Sequence, residues 1–154
     1  MKERVETLAG KIISESFPLL HDKKIRFIVM RFKFYAMSFW IPPSLRIIIV
    51  SRRTSGFTDS VMTGILAHEL CHQERYLKMG TGHYLLFAVR FLVSRKVQEA
   101  EEKATDRLTI EKGFGRQLYE LTELSHKDRN HEDILSNYLS PEEIKSYSQS
   151  LGKW

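Results

Sequence analysis

The sequence has a single cysteine, Cys71, in 154 residues, so no intramolecular disulfide can hold the fold and a reducing compartment is expected. It has only four prolines and eight glycines, with no low-complexity tract or internal repeat, which sets aside linker-like, collagenous and solenoid classes. It also lacks a long apolar run. The most lipid-like stretch, YLLFAVRFLV at residues 84–93, is interrupted by Arg90 and is about half the roughly 20 residues a spanning helix needs. That stretch reads as a buried helix rather than a membrane span, with a membrane-surface role, Arg90 and Arg95 snorkelling outward, as the alternative. The N-terminal MKERVETLAGK has no apolar signal core, so a cytoplasmic location is expected.

What is present fits one soluble α+β domain: 42% of residues are apolar, 28% are charged and the net charge is +5. The cluster Arg46, Arg52, Arg53 would suit an acidic partner. Basic and acidic residues are interspersed, however, and no nucleic-acid motif accompanies them, so these arginines read as a solvated face and no nucleic-acid partner is expected.

Val5, Leu8, Ile12, Ile13 and Phe17 recur at helical spacing and Pro18 ends the pattern, predicting a first amphipathic helix over 3–16. Three β-rich segments follow at 25–35, 38–41 and 45–51, with Pro42-Pro43 as a turn, predicting a small, mainly antiparallel sheet in which Trp40 packs. Asp59 is a plausible cap for the next helix, which runs to about Met79 where Gly80 and Gly82 break it. A third helical stretch, straight or bent, is expected from about Tyr84 to Lys112, and a fourth beyond Gly115. Residues 125–133 read as a polar linker, and Ser140-Pro141-Glu142-Glu143 opens a short terminal helix. The expected division is a domain over 1–125 and a C-terminal helical arm over 126–154.

Inside the second helix lies His68-Glu69-Leu70-Cys71-His72. Positions i and i+4 share a helix face, so the two imidazoles can bind one ion, while Glu69 is placed to take a proton from a water that the ion activates. A catalytic zinc takes three protein ligands and keeps one position open. The metzincin spacing would need Gly at 75 and His at 78, but the chain has Arg75 and Lys78. The cysteine used by peptide deformylases has no counterpart either, because Cys71 points away from the histidine face and reads as a small core residue.

A carboxylate from EAEEKATDRLTIEKG, residues 99–113, remains as third ligand. Glu102 is preferred, since Asp106 one turn on can hold the other nitrogen of a ligating histidine. Glu99 shares that face and spacing leaves it open, whereas Glu101 points elsewhere and is expected to be solvated. Tyr119, His126 and His131 are candidate donors to a developing oxyanion, between which spacing does not choose, and His21 and His83 read as surface residues.

AHELCH followed after about thirty residues by EKATDRLTIEKG resembles the gluzincin pattern H-E-x-x-H…E-x-x-x-D of CAAX prenyl endopeptidases and HtpX-type peptidases. Without spanning segments, the chain is most similar to their small soluble relatives, the minigluzincins. The resemblance covers roughly residues 45–125. It implies a zincin-like α+β fold and a zinc endopeptidase with one Zn2+ per chain. His68, His72 and Glu102 would be the ligands, Glu69 the general base and acid, and Asp106 the support behind a ligand. It also implies that an extended peptide or unfolded protein pairs with a strand above the metal, Phe39–Ile41 or Ile47–Ser51. The C-terminal tail, ending in Trp154, would lie in the cleft of its own or a neighbouring molecule as a latent form. Two other readings stand beside it: a non-catalytic module steadied by zinc, and a di-iron helical protein using Glu69-x-x-His72 and Glu123-x-x-His126.

Overall fold

A computed structural model describes residues 1–128 and 135–154. Helix α1 (Lys2–Ser16) buries Val5, Ala9 and Ile12 along one stripe, and its Arg4 donates to Asp59 Oδ1 (2.8 Å) and the Phe57 carbonyl (2.7 Å), fastening its start to the next long helix. Strands β1 (Ile25–Met30), β2 (Ala36–Ile41) and β3 (Leu45–Ser51) form a sheet of order β1-β3-β2. The α+β class and the three strands agree with the sequence reading, but the sheet is mixed: β2 pairs antiparallel with β3, and β1 pairs parallel with it. Strand β3, LRIIIVS, is the most continuously apolar of the three. It takes the centre, where both of its edges pair and its Ile48 and Val50 enter the core. β1 accordingly stops at Met30 rather than Tyr35, and the residues after it carry the chain across to the far edge.

Helix α2 (Asp59–Val93) starts at Thr58, whose hydroxyl accepts from the Val61 N–H; Asp59 is its first residue rather than its cap. Its first run passes through the middle of the molecule. Gly64 crosses the helix that follows α3 so closely that an added Cβ would stand 2.5 Å from the Gln117 carbonyl oxygen. As the sequence indicates, this run breaks at Gly80, where φ is 72° and glycine is the residue that tolerates it. The second run, residues 81–93, packs only its Tyr84, Phe87 and Ala88 side against Trp40 and Tyr76. The expectation of a buried helix fails on the other side: Leu85, Leu86, Val89, Leu92 and Val93 are all exposed.

The stretch expected from Tyr84 to Lys112, straight or bent, is divided at Ser94, whose hydroxyl accepts from the Val97 N–H and caps α3 (Arg95–Thr109). A π turn (Ile110–Phe114), with Gly113 at φ 95°, leads into α4 (Gly115–Lys127). The terminal helix α5 (Pro141–Ser150) has the expected capping box of Ser140 and Glu143 and seats Ile144 in a small core with Ile110, Leu118 and Leu139. The predicted linker 125–133 is helical through Lys127, and its remainder from 129 lies outside the described residues.

Candidate metal centre

The face that α3 turns inward is polar: Glu101, Glu102, Thr105, Asp106 and Thr109 are all buried against α2. Among the described residues, one set of His, Cys, Asp and Glu side chains could share an ion, His68, His72 and Glu102, with ligand atoms within 4.8 Å of one another. Glu102 Oε2 lies 3.1 Å from His68 Nε2 and 3.2 Å from His72 Nε2. Those separations are close to the roughly 3.3 Å edges of a tetrahedron with metal-to-ligand bonds near 2.0 Å. Glu99 is instead half-exposed and paired with Lys103 at 2.7 Å, so of the two glutamates left open by spacing it is Glu102 that meets both rings.

Each imidazole has a carboxylate behind its other nitrogen. Asp106 Oδ1 lies 2.9 Å from His68 Nδ1, as the one-turn spacing from Glu102 suggests. Behind His72 Nδ1 stands Glu101 Oε1 at 3.4 Å. This corrects the expectation that Glu101 is solvated: it is 4% exposed and accepts from Arg75 Nε (2.9 Å) and Nη2 (2.7 Å). Adjacent positions on α3 diverge by about 100°, and two rings one turn apart on α2 are reached from two sides, so neighbouring glutamates take opposite stations around them. With the Nδ1 protons held by these carboxylates, both Nε2 lone pairs face the point that Glu102 also faces.

The field around that point favours positive charge. Burial alone would lower the imidazole pKa values, but Asp106 and Glu102 outweigh it at His68, and Glu102 with Glu101 raises His72 to about 9. Burial would raise the Glu102 carboxyl, yet His72 and His68 bring it far below the usual range. Burial likewise opposes and Arg75 and His72 overcome at Glu101, which falls to about 2. Four buried carboxylates, Glu69, Glu101, Glu102 and Asp106, surround the histidines with one guanidinium, Arg75, among them, an imbalance that a divalent cation would offset. The donor set therefore fits a metal ion.

Glu69, 7% exposed beside the rings, keeps Oε2 buried without a hydrogen-bond partner among the described residues. Burial raises its pKa and the two histidines oppose the rise. A cleft of about 490 Å3 opens over the cluster, walled by Met37 and Phe39 of β2, Phe87 and Phe91 of α2, Leu121 of α4, and Tyr138. The Tyr138 ring is 5.8 Å from that of His68, and its hydroxyl is held protonated, by burial first and then by the charges of Glu102, Glu69 and Asp106. Tyr138 was not among the donors considered from sequence. Of those, Tyr119 packs on Trp154 outside the cleft, His126 is exposed on α4, and His131 lies outside the described residues. His21 and His83 are exposed, as expected.

Two polar residues that the sequence did not flag, buried Gln73 and half-buried Ser38, lock β2 to the motif. Gln73 Nε2 donates to Ser38 Oγ (2.8 Å) and the Phe39 carbonyl (2.9 Å), and the Ser38 hydroxyl donates to the Glu69 carbonyl (3.1 Å). Arg46, read as part of a solvated basic face, is 3% exposed, donates to the Gln73 carbonyl (3.2 Å) and side chain (3.1 Å), and stacks over Trp40. Its planar head is held between the Gln73 acceptors and the Trp40 ring. Cys71 is fully buried with its thiol raised to about 12, a core residue as expected. No family model, curated protein or solved structure matches this chain.

Proposed function

We propose that this chain is a metal-dependent peptidase, with zinc at His68, His72 and Glu102. One observation carries the reading: Glu69, whose Oε2 has no hydrogen-bond partner among the described residues, stands beside a three-ligand cluster at the floor of an open cleft. Zinc bound there would supply Lewis acidity to a substrate carbonyl and to water.

The chain's own residues account for the rest. Glu69, with its carboxyl raised by burial, accepts a proton from the attacking water and returns it to the departing amine. Tyr138, held protonated, donates to the oxygen on which negative charge develops. Asp106 and Glu101 keep the imidazoles in one tautomer and orientation. Of the two strands suggested for peptide pairing, β3 is central and engaged on both sides, whereas β2 lies at the sheet edge and lines the cleft, so β2 is the strand for an extended substrate. The cleft's apolar walls suit a peptide with large apolar side chains.

Glu69→Gln preserves shape and removes the base. With casein as substrate it is expected to keep one zinc per chain and lose hydrolysis by about a thousandfold or more. Retained hydrolysis, or a chain that binds no metal, ends the reading. The second E-x-x-H pair, Glu123 and His126, does not join the cluster, and one metal rather than two is expected.

A latent form is favoured by one feature, that Leu135, Asn137 and Tyr138 of the C-terminal segment line the cleft. Substituting Leu135 and Asn137 with alanine thins this wall without touching α5 and would raise turnover. Unchanged turnover removes that part.

A further inference from the structure

The second run of α2 is folded with its apolar side outward. Leu85, Leu86, Val89, Leu92 and Val93 fall within about 120° of one another around the helix axis, and Val89, Leu92 and Val93 are 62%, 79% and 80% exposed. Its inner side, Tyr84, Phe87 and Ala88, already contacts the sheet and Tyr76, so the outer side cannot be buried by rotating the helix. A contiguous exposed patch of this kind marks an interaction surface rather than the scatter of single apolar residues normal for a protein exterior.

The charge around the patch says what covers it. From Arg75 to Gln98 the chain has no aspartate or glutamate, while Arg75, Lys78, Arg90, Arg95 and Lys96 are all basic. Arg75 and Lys78 are paired with Glu101 and Glu74, but Arg90, Arg95 and Lys96 are exposed and make no ion pair among the described residues. A second copy laid on the patch about a two-fold axis would bring these cations against their own counterparts, and the nearest following acid, Glu99, is already paired with Lys103. An anionic lipid surface meets both requirements, taking the leucines and valines below the headgroups and leaving the basic rim at phosphate level. Thirteen residues rise only about 20 Å, less than the roughly 30 Å of a hydrocarbon core, so the helix lies in the interface and does not cross it.

We propose that residues 81–93 form a peripheral docking helix for anionic membranes. Leu92 belongs both to the exposed patch and to the cleft lining, beside Phe91, so the docked molecule opens its cleft at the lipid surface. The docking is independent of the peptidase reading, and no part of its test reads hydrolysis.

The test is sedimentation of the full chain with vesicles of phosphatidylcholine alone and of phosphatidylcholine containing about one-third phosphatidylglycerol. The wild type is expected to pellet with the anionic vesicles, and to need about tenfold more lipid when the vesicles are zwitterionic. Leu86→Ser/Val89→Ser is expected to stay in the supernatant with both, and Arg90→Gln/Arg95→Gln/Lys96→Gln to lose the preference for anionic lipid. Thermal unfolding of the variants confirms that they are folded. As an independent reading, Val89→Cys can be labelled with a polarity-sensitive dye because Cys71 is fully buried, and its emission should shift to the blue on adding anionic vesicles. A wild type that remains in the supernatant with both vesicles, or a dye that does not shift, overturns the proposal. So does a wild-type dimer in solution that Leu86→Ser/Val89→Ser converts to monomer, which would assign the patch to a second copy.

Discussion

Residues 81–93 and helix α3 are consecutive in the chain and break the inside-outside rule in opposite directions. The first exposes five large apolar side chains, and the second buries three carboxylates. Their energetics are correspondingly unlike. Exposed leucines forgo burial but violate nothing, so that face can be rewritten at little cost to the fold. Buried carboxylates are tolerated only while each is paired. Glu101 has Arg75 and His72, Asp106 has His68 and the Leu139 N–H, and Glu102, among the described residues, has only the two imidazoles. One region is shaped for something outside the molecule and the other for something within it.

The largest break in this contrast comes from metal removal. If the cluster holds a dication, stripping it leaves the buried carboxylates to be balanced by protonation of His68 and His72 and by Arg75. A metal present at about a thousand times its dissociation constant contributes roughly 4 kcal/mol through mass action. Thermal unfolding with and without chelator should differ by about that much for the wild type and equally for Leu86→Ser/Val89→Ser. An unfolding midpoint indifferent to chelator would separate the cluster from metal binding.

Next is Arg75→Ala, which leaves Glu101 buried without its guanidinium. Removing one partner of a buried pair costs about 3 kcal/mol, and loosening the carboxylate behind His72 weakens metal binding by about ten- to a hundredfold. The sign with pH follows from the same pair. Glu101 titrates at about 2 in the folded chain against an ordinary 4.5, because Arg75 and His72 outweigh the opposing effect of burial. Its contribution is therefore complete above pH 4.5 and lost as pH falls toward 2. Arg75→Ala should flatten that part of the acid-unfolding curve, and a variant with the wild-type acid limb would show that Arg75 is not what depresses Glu101.

Gly64→Ala tests the seat of the motif helix. Its Cβ would meet the Gln117 carbonyl at 2.5 Å, backbone that cannot step aside. Denaturant unfolding should register a loss of about 2 kcal/mol. A neutral result would mean that α2 and α4 can move apart freely.

Much of the centre was legible because it obeys helical arithmetic. His68 with His72, and Glu102 with Asp106, are each one turn apart, and the two pairs meet once their helices pack. The Pro42-Pro43 turn and the break at Gly80 were legible for the same reason, a local rule with a local cause. What escaped depended on orientation between elements. Glu101 and Glu102 differ by one residue, and only the position of α2 decides that both are buried. Arg46 is buried because Gln73 and Trp40 accommodate it, which no strand pattern announces, and the parallel pairing of β1 needed the chain to cross the sheet. Ser94 did carry a local signal, a hydroxyl that can cap a helix, hidden inside an otherwise unbroken helical stretch. Residues 84–93 show a limit of periodicity itself. A helix apolar on nearly every side has no preferred face, so the sequence indicates apolarity without saying which side meets the protein.

The smallest expected effect is therefore the most discriminating for that helix. Leu86→Ser/Val89→Ser removes two apolar side chains that touch water already, and surface changes of this kind usually alter stability by no more than about 0.5 kcal/mol each. If residues 81–93 are held by Tyr84, Phe87 and Ala88 alone, the double variant should unfold within about 1 kcal/mol of wild type and bind metal equally, while losing lipid. A loss several times larger would mean that these side chains are buried in the free protein in solution, against a second copy or against the chain itself. The outward apolar face would then belong to the fold's own core rather than to a surface awaiting a bilayer.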